Sequence, residues 1–244
     1  MFNYSIKYVT GAAPLSPVGL NDADQMNLVH FLHIGKCAGT TIRSLINSVN
    51  QNRSQMLIMA HGHRVVLSDI PPKARFFFSI RDPITRFYSG FYSRKRKGQP
   101  YLYVEWGEGE RKAFARFPEA NDLAESLFDN SPVGLQAFSA MQSIRHVKQP
   151  QYSWFPDLEE IFDSRPPICI LRQENLEADV RYLGKVLDLP KDITLETDNV
   201  RAHKNDYSAT PPLSSRAVEN LKRWYAADIN FYALATSWVE RNQK

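Results

Sequence analysis

The sequence predicts an α/β fold, with a central, mostly parallel sheet flanked by helices. Three observations predict it. Apolar runs of strand length alternate with segments of helical spacing, the order that builds parallel sheets through crossover helices. Residues 75–80 (Arg-Phe-Phe-Phe-Ser-Ile) are apolar almost throughout, as expected of a strand covered on both faces. Cationic residues and histidines follow the expected strands at their C-terminal ends, the edge where parallel sheets bind ligands.

The elements follow in order. Residues 28–34 read as a buried strand and 40–50 as the helix after it. Residues 55–60 form a second short strand and 75–80 a third. Pro83 suits the first turn of the next helix, where its missing N–H costs nothing, and that helix runs to about Arg96. From Gly98 to Pro150 the chain reads as mostly helical, with Phe114, Phe117, Leu123 and Leu127 on one buried side and a further helix over 131–143. Residues 168–171, introduced by Pro166-Pro167, are expected as a strand, and 175–187 as a helix that stops before Pro190. Ser214 or Ser215 can cap a late helix by accepting an unpaired first-turn N–H. Val218, Leu221, Trp224 and Tyr225 give that helix an apolar side, and 228–238 is the last helix. Gly11, Pro14, Pro17 and Gly19 break any regular pattern in residues 1–27, which read as an N-terminal arm. Residues 28–244 read as a single domain with a helical region around 98–165.

Composition narrows the classes. A chain of 244 residues with 43% apolar content can bury a sizeable core and is not a disordered polymer. The net charge of +4, from 30 Lys plus Arg against 26 Asp plus Glu, suits an anionic ligand only weakly. No nucleic-acid motif is present, and Arg94 through Lys97 is the one dense basic cluster. Two internal cysteines, Cys37 and Cys169, do not make a disulfide framework and suit a reducing compartment. No run approaches the 18 apolar residues of a membrane span, and the basic, apolar and cleavage regions of a signal peptide are missing. The expectation is a soluble, cytoplasmic chain.

Two phosphate-type loops carry the functional reading. In the first, Leu28-Val-His-Phe-Leu-His-Ile-Gly-Lys-Cys-Ala-Gly-Thr-Thr41, helix-start N–H groups point outward and favour an anion. Gly39 permits close backbone approach. Lys36 is a movable cation for transferring or leaving oxygens, and Thr40 and Thr41 add donors. The lysine precedes the final glycine, so this is not the Gly-Lys-Ser/Thr loop of nucleotide triphosphatases. In the second, Arg75-Phe-Phe-Phe-Ser-Ile-Arg-Asp-Pro-Ile-Thr-Arg-Phe-Tyr-Ser89, Arg81 and Ser89 can share an anion, because the arginine fork donates two bonds to phosphate. Asp82 either orients an arginine or caps the helix. Arg86 either joins the anion site or pairs with Asp82 four residues earlier.

Between the loops stands His61-Gly62-His63. Histidine accepts a hydroxyl proton near neutral pH without a large shift, so either ring is a candidate general base. Two further ligands for a metal are missing, and no metal is expected. Phosphate grip, second grip and base together point to group transfer.

His33-Ile-Gly-Lys-Cys-Ala-Gly-Thr-Thr41 resembles the 5′-phosphosulfate loop of sulfotransferases that use 3′-phosphoadenosine 5′-phosphosulfate (PAPS). Ile80-Arg-Asp-Pro-Ile-Thr-Arg-Phe-Tyr-Ser-Gly-Phe-Tyr92 resembles their 3′-phosphate motif. The motifs are most similar to the carbohydrate branch of heparan/uronyl 2-O-sulfotransferases. The resemblance covers residues 28–92 and returns at 168–176 and 228–232. It implies a P-loop-like three-layer fold. It implies that Lys36, Cys37, Ala38, Gly39, Thr40 and Thr41 hold the phosphosulfate and that Arg81 with Ser89 holds the 3′-phosphate. It further implies that the second histidine, His63, is the base, with His61 binding or orienting the acceptor. A basic loop closing over the 3′-phosphate would supply Arg201 and Lys204, and the region around 98–165 would face the acceptor. Two departures stand out: Gly35 and Cys37 occupy positions where the family has Pro and Thr.

The expected reaction is direct sulfuryl transfer from PAPS to a hydroxyl of a carbohydrate or glycan, possibly acidic, releasing adenosine 3′,5′-bisphosphate (PAP). The alternatives are a P-loop kinase-like phosphotransferase using ATP and Mg²⁺, and a non-catalytic nucleotide-binding protein. A soluble bacterial-type enzyme or an excised catalytic domain fits this reading. Arg172 and Glu174 either border the site or pin strand to helix. Trp106 and Trp154 either contact a sugar ring or pack in the core. Acceptor identity and oligomeric state are not legible.

Overall fold

The computed structural model describes residues 28–51, 56–100, 102–158, 160–189, 207 and 210–244. The expected arm over 1–27 and the expected ligands Arg201 and Lys204 lie outside the described residues. Four strands, β1 (Leu28–Leu32), β2 (Leu57–Ala60), β3 (Arg75–Ile80) and β4 (Cys169–Arg172), form one sheet in the order β2-β1-β3-β4. All three pairings are parallel. The described helices are α1 (Gly39–Gln51), α2 (Pro83–Lys95), α3 (Glu108–Arg116), α4 (Ala120–Glu125), α5 (Pro132–Ser143), α6 (Leu176–Val186), α7 (Ser215–Trp224) and α8 (Ala226–Asn242).

Strand alternation assigns the two faces of the sheet. Phe76, Phe78 and Ile80 of β3 pack with Ile170 of β4 and with Phe231, Ala235 and Trp238 of α8. Phe77, one residue out of phase, packs on the other face with Val29, Phe31, Cys169 and Leu171, under Ile42, Leu45 and Ile46 of α1 and Val180 and Leu183 of α6. Both faces are therefore dry, which is why the strands read as continuous apolar runs. A third core lies among the helices, where Phe87 and Phe91 of α2 meet Phe114, Phe117, Leu123, Leu127, Ala137 and Leu221. The four residues expected to form one buried side are all in it.

Local chemistry sets the boundaries. Asp82 caps α2 by accepting from the Thr85 N–H at 2.8 Å, with Pro83 in the first turn. Ser214 caps α7 by accepting from the Ala217 N–H at 3.1 Å. Strand β1 stops at Leu32 rather than residue 34 because its pairing with β3 ends at Leu32 opposite Phe78. Helix α8 is longer than the expected 228–238. It begins at Ala226, directly after Tyr225 ends α7, and reaches the edge of the sheet. There the Gln243 side chain accepts from the Ile170 N–H at 2.7 Å and donates to its carbonyl at 3.2 Å, capping the open side of β4. No helix among the described residues is long and apolar enough to cross a membrane.

The helical region is fixed by one buried ion pair. Arg94 of α2 forks onto Glu110 of α3 with two bonds of 2.7 Å, and both side chains are nearly inaccessible. The same guanidinium donates to the carbonyls of Val104 and Glu105, each at 3.2 Å. Glu110 also accepts from the backbone N–H groups of Gly107 and Arg145. Burial pushes the Glu110 carboxyl up, but the Arg94 fork and the two amides together hold it below the usual carboxylate range. Removing one partner strands the other charge in the interior. Glu110→Ala should lower unfolding free energy by about 3–5 kcal/mol, read from denaturant melts; a loss below about 1 kcal/mol would show that water or another group compensates Arg94.

Candidate functional site

The parallel order brings the ends of β1, β2 and β3 to one edge, and three of the expected groups follow them directly. After β1 the chain turns through Gly35 to Gly39 with Lys36 at φ 69° and Ala38 at φ 61°. Left-handed residues alternating in a short turn before a helix direct successive N–H groups to one side, a concavity suited to an anion. Gly39 begins α1, and a side chain is excluded there: an added Cβ would lie 1.6 Å from His33 Nε2. The imidazole of His33 occupies the space against the loop.

Lys36 sits among cations. Burial pushes its ammonium down to about 8, helped by Arg81, Arg96 and Arg86 and opposed by Cys37. Among the described residues no carboxylate forms an ion pair with it. Thr40 is half-buried and Thr41 buried in the first turn of α1. The Cys37 side chain points into the core. It is fully buried, its Sγ donates to Gln151 Oε1 at 3.2 Å, and burial raises the thiol to about 12. Only its backbone is left for an anion, so the thiol is a core group rather than a reactive one.

In the second loop one of the two readings of Arg86 fails. Arg86 does not pair with Asp82. It is 2% exposed, and its Nε donates to the Gly35 carbonyl at 2.9 Å. It fastens the second motif to the first. Arg81 follows β3, half-buried, with Nε donating to Thr85 Oγ1 at 3.1 Å. Ser89 lies two turns into α2 and is buried. Tyr88 beside it is bonded to Thr210 and to the Pro211 carbonyl.

Gln151 joins the loops, and nothing in its sequence context singles it out. Its fully buried carboxamide accepts from Cys37 Sγ and from the Arg81 N–H at 2.9 Å, and donates to the Arg81 carbonyl at 2.7 Å. Its Nε2 also reaches Asp228 at 3.4 Å. Burial raises the Asp228 carboxyl, opposed by Arg86 and by the bonds from Tyr152 and Gln151.

The two histidines after β2 have different surroundings. His61 Nε2 is hydrogen-bonded to His30 Nδ1 at 2.8 Å, the rings are stacked, and its carbonyl accepts from Arg43. His63 Nδ1 lies 3.2 Å from the His33 carbonyl. A carbonyl only accepts, so His63 carries its proton on Nδ1 and leaves Nε2 as the basic nitrogen. Burial lowers the His63 imidazole below its ordinary value; the bond to His33 opposes this, while Arg43, Arg145 and Lys36 add to it. His63 Nε2 is thereby available to take a proton, whereas His61 shares its Nε2 with His30.

Arg172 does not border the site. It grips Asp179 with bonds of 3.0 and 2.7 Å and pins β4 to α6. Glu174 accepts from the Asp82 N–H at 2.7 Å and from the Tyr232 hydroxyl at 3.2 Å, bracing the second loop. Trp106 donates to the Arg94 carbonyl at 2.6 Å and packs on the helical core. Trp154 is 1% exposed. Two residues that the spacing of motifs does not reveal, Arg43 and His146, complete the surroundings. Arg43 Nε donates to His33 Nδ1 at 3.1 Å, and the His146 ring stands edge-on to His63 at 6.3 Å. Among the described residues no group of three or more His, Cys, Asp or Glu is arranged to hold a metal ion.

Compared with known proteins, the chain matches no protein-family model and no curated protein.

The buried imidazoles make the fold acid-sensitive. Burial first, and neighbouring positive groups second, hold His30 at about 4 and His33 and His146 at about 2, against an ordinary 6.5. Below about pH 6.5 an unfolded chain takes up protons that the folded chain refuses, so stability falls as pH drops. The thermal midpoint should decline steadily between pH 6.5 and 5, above the range where carboxylates titrate. A flat midpoint across that interval would contradict the burial of these rings.

Proposed function

We propose that the protein is a PAPS-dependent O-sulfotransferase that transfers a sulfuryl group to a hydroxyl of a carbohydrate or glycan and releases PAP. The observation that carries this reading is the meeting on one sheet edge of the Lys36 turn, Arg81 and a His63 imidazole whose Nε2 is the accepting nitrogen. In finer terms, β1, the turn and α1 are read as a P-loop-like unit holding the 5′-phosphosulfate, with Arg81 and Ser89 at the 3′-phosphate.

In the proposed step an acceptor oxygen attacks sulfur and forms an S–O bond, while the bond from sulfur to the bridging oxygen of the nucleotide breaks. The acceptor proton goes to His63 Nε2, and PAP leaves with the bridging electrons. Lys36 and the N–H groups of the turn offset charge on the transferring group and on the leaving oxygen. The neutral state of His63 follows from its burial, so the base is ready without a prior proton loss. The depressed Lys36 suits the same reading, because an anion beside it restores the charged form.

Three measurements test this. Calorimetry should give PAP binding to the wild type, weakened at least about tenfold by Arg81→Ala, which removes a charge-assisted fork. Tighter binding of ATP–Mg²⁺ than of PAP would replace the reading with phosphotransfer. At pH 8, where Lys36 is half protonated, PAP binding should be accompanied by proton uptake, read from buffers of differing ionisation enthalpy; proton release or no exchange would remove Lys36 from the contact. For transfer, His63→Ala should cut kcat by about 10²–10⁴ with PAP affinity retained. In the wild type, kcat/KM should fall on the acid side below the ordinary imidazole range and on the alkaline side near the free-enzyme Lys36 value of about 8.

A further inference from the structure

The turn at residues 145–147 is held far more firmly than a surface turn requires. The Arg145 N–H donates to the buried carboxylate of Glu110 at 3.1 Å. The Val147 carbonyl accepts from the Tyr225 hydroxyl at 2.8 Å, inside the helical core. The backbone of α2 approaches from below at Gly90, where an added Cβ would meet the His146 carbonyl at 3.1 Å. Three separate elements thus fix the position of one imidazole.

That imidazole opens on a pocket. It is small, about 40 Å³, and Gly35, His63, Arg86, Arg145, His146 and Gln149 line it, with Trp154 in its wall. Gly35 lies between the rings: a Cβ added there would sit 3.6 Å from His63 Nδ1 and 3.7 Å from His146 Nδ1. The pocket therefore joins the first loop to the candidate base. His146 has no hydrogen-bond partner among the described residues, and the indole N–H of Trp154, a residue 1% exposed, has no acceptor either. No carboxylate lines the pocket.

We propose that this pocket receives the hydroxyl-bearing edge of the acceptor and that His146 hydrogen-bonds it, so that one hydroxyl faces His63 Nε2. This rests on the sulfotransferase reading above. His146 binds as a neutral imidazole and exchanges no proton in the reaction; burial, with Lys36 and His63 nearby, holds it well below its ordinary value. Gln149 and Arg145 border the same space and bear on which ring is accepted.

The test compares wild type with His146→Gln and His146→Ala, using labelled PAPS and heparosan, chondroitin and dermatan chains as acceptor probes. His146→Gln keeps a side chain that hydrogen-bonds, and His146→Ala does not. The expected result is a rise of about tenfold or more in acceptor KM for the alanine variant, with partial rescue by glutamine. PAP affinity should stay within about threefold of wild type, and the acid limb of the pH profile should not move. Thermal melts identify an alanine variant that has lost its fold, and the glutamine variant then carries the comparison. Wild-type acceptor KM in both variants overturns the assignment. Equal loss of PAP affinity overturns it as well and moves His146 to the nucleotide side. A wild type that binds no PAP overturns the sulfotransferase reading itself, a separate result from an active wild type indifferent to His146.

Discussion

The carboxamide of Gln151 ties the two turns at the sheet edge to each other. Two turns from two different strands must keep a fixed separation if they are to hold one ligand at two places. Backbone pairing alone does not secure this, because β1 and β3 stop pairing at Leu32 and Phe78, short of both turns. The Gln151 side chain spans the gap, with Cys37 on one side and both backbone groups of Arg81 on the other. Being buried, those bonds act in a low dielectric and reinforce each other. Arg86 adds a second tie from α2 to the Gly35 carbonyl. Cys37 has a physical role in this arrangement: its thiol, buried in the core, donates to Gln151.

Charge is sorted between scaffold and site. Arg94 and Arg172, which hold helices and strands together, each face an acid, Glu110 and Asp179. Lys36 and Arg81, on the sheet edge, have no ion pair with an acid among the described residues. The same chain, nearly balanced in overall charge, thus concentrates positive potential where the two turns meet. The histidines complement it. Burial and nearby cations keep them neutral, so they add hydrogen-bonding atoms without adding to the repulsion. One consequence is a site that opposes the stability of its own fold: a depressed lysine and several depressed imidazoles all cost folding free energy.

Within the histidine cluster, position along the chain is a poor guide to role. His61 and His63 are two residues apart and stand just beyond the same strand. Gly62 and the turn send them to different neighbours, His61 to the stacked ring of His30 and His63 to the His33 carbonyl. His33, read from the sequence as the end of a strand and the start of the first loop, sets the His63 tautomer with its backbone and fills the space over Gly39 with its ring. Arg43, on α1, in turn bonds both His33 and the His61 carbonyl.

The sequence by itself determined the sheet and the groups that follow its strands at their C-terminal edge. The Phe76–Phe78 run, the Gly-Lys turn, Asp82-Pro83 and the cap at Ser214 are local signals, each acting within a few residues, and local signals survive in a one-dimensional string. It also named Lys36, Arg81 and the His61–His63 pair, because an α/β alternation carries strand ends to a common edge whatever lies between. Only the tertiary structure decided which of those groups are engaged by neighbours. Arg86 turned inward to Gly35, Arg172 to Asp179, Cys37 to Gln151 and His61 to His30. It alone brought Gln151 and His146 to the site, from a stretch with no motif and more than a hundred residues past the first loop. Such contacts depend on where folding closes long loops, and the short-range pattern of the chain holds no record of that.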